Sequence, residues 1–315
     1  MNTRVLRANI LLFIAALVWG TTFVAQRVGM DHVGPLTFSG LRFLMGAVCL
    51  APLAWYGAKR GVRTYPEVTG KWTPFWGIMG AGMLMALGIN LQQIGLVVTT
   101  AGKAAFITGL YVIIVPFLGL IWRQKPGTGV WIGAPLGVAG LYLMSVQDSL
   151  SLAPGDGWVL ACAFAWAVHV LYLGWISPRI NSMVLAFGQA LVCAILSLAI
   201  AAFTEDIVLS AIWATMVPLL YGGVMSVGVG FTLQIVAQRD SPPSHAAIIL
   251  QLEAMIGAIS GWIFLGETMS NRAIVGAALM LAGMLVAQLW ALRNSESRRT
   301  RRKREAHVVL DETGR

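Results

Sequence analysis

Ten stretches of about twenty mostly apolar residues follow one another along the chain, each long enough to cross a ~30 Å hydrocarbon layer as a helix. They run approximately over residues 8–28, 33–56, 74–97, 101–122, 129–147, 157–176, 182–203, 211–236, 244–265 and 271–292. A soluble fold cannot hide that much apolar surface with so little charge to solvate it. Only 11% of the 315 residues are charged, against roughly 25% in soluble domains. With 57% hydrophobic residues the chain is not disordered, and three Cys cannot build a disulfide scaffold. The first stretch reads as a span rather than a cleaved leader, because its apolar run is long and no A-x-A site follows. The expectation is an all-α integral membrane protein.

The connections test the count. With the N-terminus in the cytoplasm, alternate loops and the tail place 18 of the 22 basic residues on that side. Arg27, Lys103 and Arg272 fall outside, and Arg42 falls within a span. The sequence thus predicts ten transmembrane helices with both termini cytoplasmic, in a cell membrane (a bacterial inner membrane). The net charge of +9 is then topological. The run Arg298–Arg304 reads as an anchor that can rest on anionic headgroups, and without aromatic interleaving it gives no reason to expect nucleic acid.

The second half of the chain repeats the first. At an offset of 147 residues Ala16-Leu17-Val18-Trp19 lies over Ala163-Phe164-Ala165-Trp166, and at 142 Gly88 lies over Gly230 and Gln92 over Gln234. At 143, Gly133 meets Gly276 and Gly140 meets Gly283. Two five-helix repeats, 1–147 and 148–292, followed by a basic tail, 293–315, are the expected domains. An odd number of helices per repeat inverts the second repeat relative to the first. Inverted repeats are the usual construction for alternating access about a midplane site.

The stretch Ser244–Ala287, SHAAIILQLEAMIGAISGWIFLGETMSNRAIVGAALMLAGMLVA, resembles the EamA-type repeat of the drug/metabolite transporter superfamily. Paired alanines, Leu-Glu in mid-helix, Leu-Gly-Glu at the exit and a Gly-rich last helix carry the likeness. Arg42 in Gly40-Leu41-Arg42-Phe43 and Trp19 in Val18-Trp19-Gly20 fit it too. The first half departs from it, ending its fourth helix in Ile121-Trp122-Arg123-Gln124. The resemblance implies export or exchange of small metabolites, amino acids or drugs.

Charge inside a bilayer costs at least ~2.5–3.5 kcal/mol, so Arg42 and Glu253 are candidates for substrate binding. Each lies nine residues into its span, a depth of about 14 Å. They either line a cavity, where Glu253 could carry a coupling proton, or form a buried ion pair that locks two helices. Trp19, Thr22 and Gln26 share a face of the first helix, as do Asn90 and Gln93 on the third, and Trp166, His169 and Tyr172 nearly do on the sixth. Tyr111 is the repeat counterpart of Glu253, and Gln189 that of Arg42. A substrate site of Trp19, Thr22, Arg42, Asn90, Gln93, Tyr111, Trp166, His169, Tyr172, Gln189 and Glu253 is therefore expected. The competing reading is that the amides join helices and the aromatics mark the interface.

No Cys or carboxylate accompanies His169 at ligand spacing, so no metal and no cofactor are expected. No phosphate-binding loop occurs either. A secondary transporter exporting amino acids or related amphipathic metabolites is the favoured function, acting as a monomer in the lipid bilayer on a small-molecule substrate. A multidrug or organic-cation exporter is the alternative. An integral membrane enzyme acting on lipid-linked substrates ranks lower, for want of clustered acids or an activated nucleophile.

Overall fold

The computed structural model describes residues 3–59, 74–98, 106–145, 154–266 and 270–290. The basic tail, the loop carrying Arg60, Arg63 and Lys71, and Lys103 lie outside them. Among the described residues eight helices are long and apolar enough to cross a membrane: α1 (Thr3–Met30), α2 (Pro35–Lys59), α3 (Pro74–Val98), α6 (Asp156–Ile176), α7 (Ser182–Thr204), α8 (Met216–Gln238), α9 (Pro243–Phe264) and α10 (Asn271–Trp290). Two apolar helices are shorter, α4 (Phe106–Ile121) and α5 (Thr128–Met144). They coincide with the segments 101–122 and 129–147; their crossing of the bilayer belongs to the function proposed below.

The outward faces are apolar. Phe203 is 92% exposed and Val217 79%, whereas Arg42 is 2% exposed and His169 and Gln189 are fully buried. This is a soluble protein's pattern reversed, the arrangement lipid demands.

Local sequence sets the helix ends. Pro35, Pro74 and Pro243 each open a helix at the position where a missing N–H costs nothing. The Glu205 carboxylate, just past the end of α7, accepts from the Leu36 and Thr37 N–H groups, both at 2.8 Å, and so caps α2. Asn181 caps α7, accepting from Met183 N at 3.0 Å. Gly266 ends α9 in the left-handed region, φ +66°. Its counterpart 143 residues earlier is Arg123, which takes the same conformation at φ +56°. Arg123 N–H bonds Leu120 O and Gln124 N–H bonds Gly119 O, each at 2.9 Å, so α4 is closed by a left-handed residue that is not glycine.

The two halves interleave. α2 packs along α7, α3 along α6 and α7, α1 along α8 and α9, α2 along α8, and α4 along α6. α5 and α10 touch through glycines: a Cβ on Gly140 would lie 2.7 Å from Met280 N, and one on Gly276 2.7 Å from Met144 N. Lipid offers no hydrophobic drive between helices, so such backbone proximity supplies the attraction.

Candidate functional site

The side chains that meet between the halves come from seven helices. α1 contributes Trp19, Phe23 and Gln26 from one face, spaced i, i+4, i+7. α2 adds Arg42, α3 Ile89 and Gln92, α4 Tyr111, α6 Trp166 and Val170, α8 Ser226, Phe231 and Gln234, and α9 Leu250 and Glu253. They surround about 590 Å³ of empty space, part of it open to the outside.

The aromatic wall centres on Phe231. Its ring centroid lies 4.7 Å from that of Trp19, 5.8 Å from Phe43 and 6.1 Å from Trp166, the last nearly parallel at 16°. Each indole also rests on a glycine of the opposite half. A Cβ on Gly230 would lie 3.0 Å from Trp19 Cδ1, and one on Gly88 3.1 Å from Trp166 Cε2. The stretch Gly222–Phe231 of α8 is π-helical, and the Trp19 indole N–H donates to Ser226 O within it at 3.1 Å. π-Helical turns are rare and concentrate at functional sites.

Arg42 and Glu253 share this lining but are not joined: among the described residues no ion pair and no side-chain hydrogen bond involves either one. Arg42 lies instead between two rings, its guanidinium carbon 5.6 Å from the Phe38 centroid and 5.3 Å from that of Phe43. Its Nε is buried without a partner. A helix-locking pair between these two residues is therefore not what the chain forms.

Of the expected site residues, Trp19, Arg42, Tyr111, Trp166 and Glu253 line the cavity. The other six lie outside the lining. Thr22 bonds back to Val18 O at 2.6 Å within its own helix. Asn90 accepts from Ser197 at 3.0 Å, and Gln93 donates to Gln26 at 2.9 Å. His169 and Gln189 meet at 3.3 Å behind Trp166, and Tyr172 donates to Gly77 O at 3.1 Å. Among the described residues no three His, Cys, Asp or Glu side chains could hold a metal.

A family profile described as the EamA-like transporter family matches the chain twice, over residues 6–146 and 153–288. The chain belongs to that family. It is a multi-pass membrane transporter, not an enzyme. An uncharacterized transporter of Archaeoglobus fulgidus is 27% identical over 90% of this chain and 86% of its own. A probable amino-acid metabolite efflux pump of Salmonella typhimurium is 25% identical over 88% and 93%. The threonine/homoserine exporter RhtA of the same organism is 26% identical over 68% and 70%. A solved crystal structure superposes with a TM-score of 0.73 over 91% of this chain and 98% of that one; at 20% identity it establishes the shared fold.

In this EamA-like transporter the end of the bundle where α6 finishes is tightly packed. Gln238 donates to Val170 O at 2.9 Å, Tyr172 bonds Gly77 O, and Leu173, Ile176, Ile180 and Leu185 pack together below. Phe231, Ser226 and Phe23 are lining residues that the sequence reading did not single out. The cluster Gly222-Gly223, Gly228 and Gly230 was the available signal for the first two, since it marks where α8 departs from a regular helix.

Proposed function

We propose that this chain is a secondary transporter that exports amino acids or related small amphipathic metabolites, by alternating access about the cavity between its halves. The observation that carries the reading is that cavity itself. Both halves supply its walls, aromatic faces form one side, and two opposite charges enter it without neutralising each other. Trp19, Arg42, Tyr111, Trp166 and Glu253 are the residues proposed to touch substrate. The names of two relatives, an amino-acid metabolite efflux pump and a threonine/homoserine exporter, agree with the substrate class.

Ten crossings and two inverted repeats belong to the same proposal, with both termini in the cytoplasm of a cell that carries the protein in its inner membrane as a monomer. The glycine contacts support the inversion. At the 143-residue offset Gly133 corresponds to Gly276 and Gly140 to Gly283, and the close approaches are Gly133 to Gly283 and Gly140 to Gly276. Exchanging the halves converts one contact into the other. The packed end of the bundle is then the cytoplasmic one.

Export of organic cations is a second reading, favoured by the aromatic faces beside Glu253. Counterflow in liposomes separates the two. The twenty labelled amino acids and a set of cationic drugs are offered to the purified protein, with and without a pH gradient. Counterflow by amino acids alone supports the first reading, by drugs alone the second. Counterflow by neither class overturns both.

A further inference from the structure

Arg42 brings a full positive charge into the middle of the bundle, yet no described residue gives it a counter-ion. Its surroundings are the faces of Phe38 and Phe43 and the glycines that open the π-helical stretch; a Cβ on Gly222 would lie 3.4 Å from its Cδ. The side chain is 2% exposed, and its buried Nε has no acceptor among the described residues. Ring faces offset only part of the cost of burying a guanidinium, and they leave its hydrogen-bonding fork empty. Removing a charge from water and leaving it unpaired is among the most expensive things a fold can do. Arg42 lines the cavity, so an acceptor entering there is within the reach of its guanidinium.

We infer that Arg42 is the subsite for a carboxylate, so that the transported molecule must carry one. A planar carboxylate matches the guanidinium fork and can accept two parallel N–H bonds, the strongest and most directional arrangement open to it. The inference rests on the reading that this cavity binds substrate, and it narrows that reading: zwitterions and organic anions fit, whereas a cation lacking a carboxylate leaves Arg42 unsatisfied. Glu253 lines the same cavity without touching Arg42, which leaves it free to meet the ammonium of a zwitterion. Deleting the carboxylate from a ligand loses a charge-assisted bond and strands the buried guanidinium, so affinity falls by about tenfold or more.

The test is equilibrium stabilisation of the full-length protein in nanodiscs. Three sets are compared by the melting temperature they produce: the twenty L-amino acids, their α-amides, and their N-acetyl derivatives. At least one acid, free or acetylated, is expected to raise the midpoint, and its amide to need about ten times the concentration or more for the same rise. In Arg42→Gln, acid and amide become alike; Arg42→Lys restores part of the difference. Amides that stabilise the wild type as well as their acids do overturn the subsite, as does an absence of stabilisation by every carboxylate in the sets. Stabilisation by N-acetyl acids but by no free amino acid upholds the subsite and removes the amino-acid reading. The wild-type arm stands alone if Arg42→Gln fails to fold.

Discussion

The indole of Trp19 and the main-chain carbonyl of Ser226 are 207 residues apart in sequence and 3.1 Å apart in space, tying α1 to the wide turn of α8. Trp19→Phe keeps a ring in the aromatic wall and removes this bond, which is expected to cost about 0.5–1.5 kcal/mol. Gly230→Ala instead pushes a methyl into the indole and is expected to cost about 1–3 kcal/mol by overpacking. Reversible unfolding in mixed detergent measures both, and liposome counterflow should fall further in the alanine variant because the ring itself is displaced.

Arg123 holds a left-handed conformation that a side chain strains, at the position where the second half has Gly266. Arg123→Gly relieves that strain at some cost in the entropy of the unfolded chain, for a net gain of about 0.5–1 kcal/mol. The same change removes a positive charge from the side assigned to the cytoplasm, so insertion should be scored separately from unfolding.

At Gly140 and Gly276 the seam between α5 and α10 has no room for a side chain. Gly140→Ala and Gly276→Ala are each expected to destabilise by about 1–3 kcal/mol, since the atoms in the way are backbone and cannot turn aside. Gly157→Ala, within α6 and with nothing within 4 Å of the added methyl, should instead gain about 0.4–1 kcal/mol under the same melting assay.

Glu205 caps the first turn of α2 with both carboxylate oxygens. Glu205→Ala is expected to lose about 1–2 kcal/mol, and Glu205→Gln less, because the amide retains one acceptor while losing its charge. A Gln variant as unstable as the Ala variant would show that charge, not bonding, holds this end.

Glu253 is the acidic side chain of the lining. As the proposed carrier of a coupling proton, its replacement in Glu253→Gln is expected to flatten the pH dependence of transport. An unchanged profile in counterflow measured across pH 5–8 excludes that role.

Much of this architecture was written in the apolar runs, since length and charge scarcity leave a membrane chain few other options. The charged candidates were legible for the same reason: Arg42 and Glu253 stand out because almost nothing else in the spans is ionised. Helical phase was harder to read. Asn90 and Gln93 do share a face, but it is the face that bonds Ser197 and Gln26; their neighbour Gln92 is the amide that reaches the cavity. No alternation of polar and apolar residues distinguishes a helix partner from a cavity wall when both are buried. Phe231 escaped for another reason. A 3.6-residue period assigns faces on the assumption of regular winding, and the π-helical stretch before Phe231 turns it to meet Trp19 and Trp166.

The widened stretch occurs in α8 and has no counterpart in α3, which is continuous α-helix from Pro74 to Val98. For a carrier of the kind proposed, walls that are not copies make the two orientations unequal in energy even when the solutions on both sides are identical. The empty protein then waits mostly on one side, in proportion to that difference. Such a bias builds no gradient, because one cycle returns the molecule to its starting state. It decides instead which solution loads the carrier first, and how strongly turnover saturates from each side.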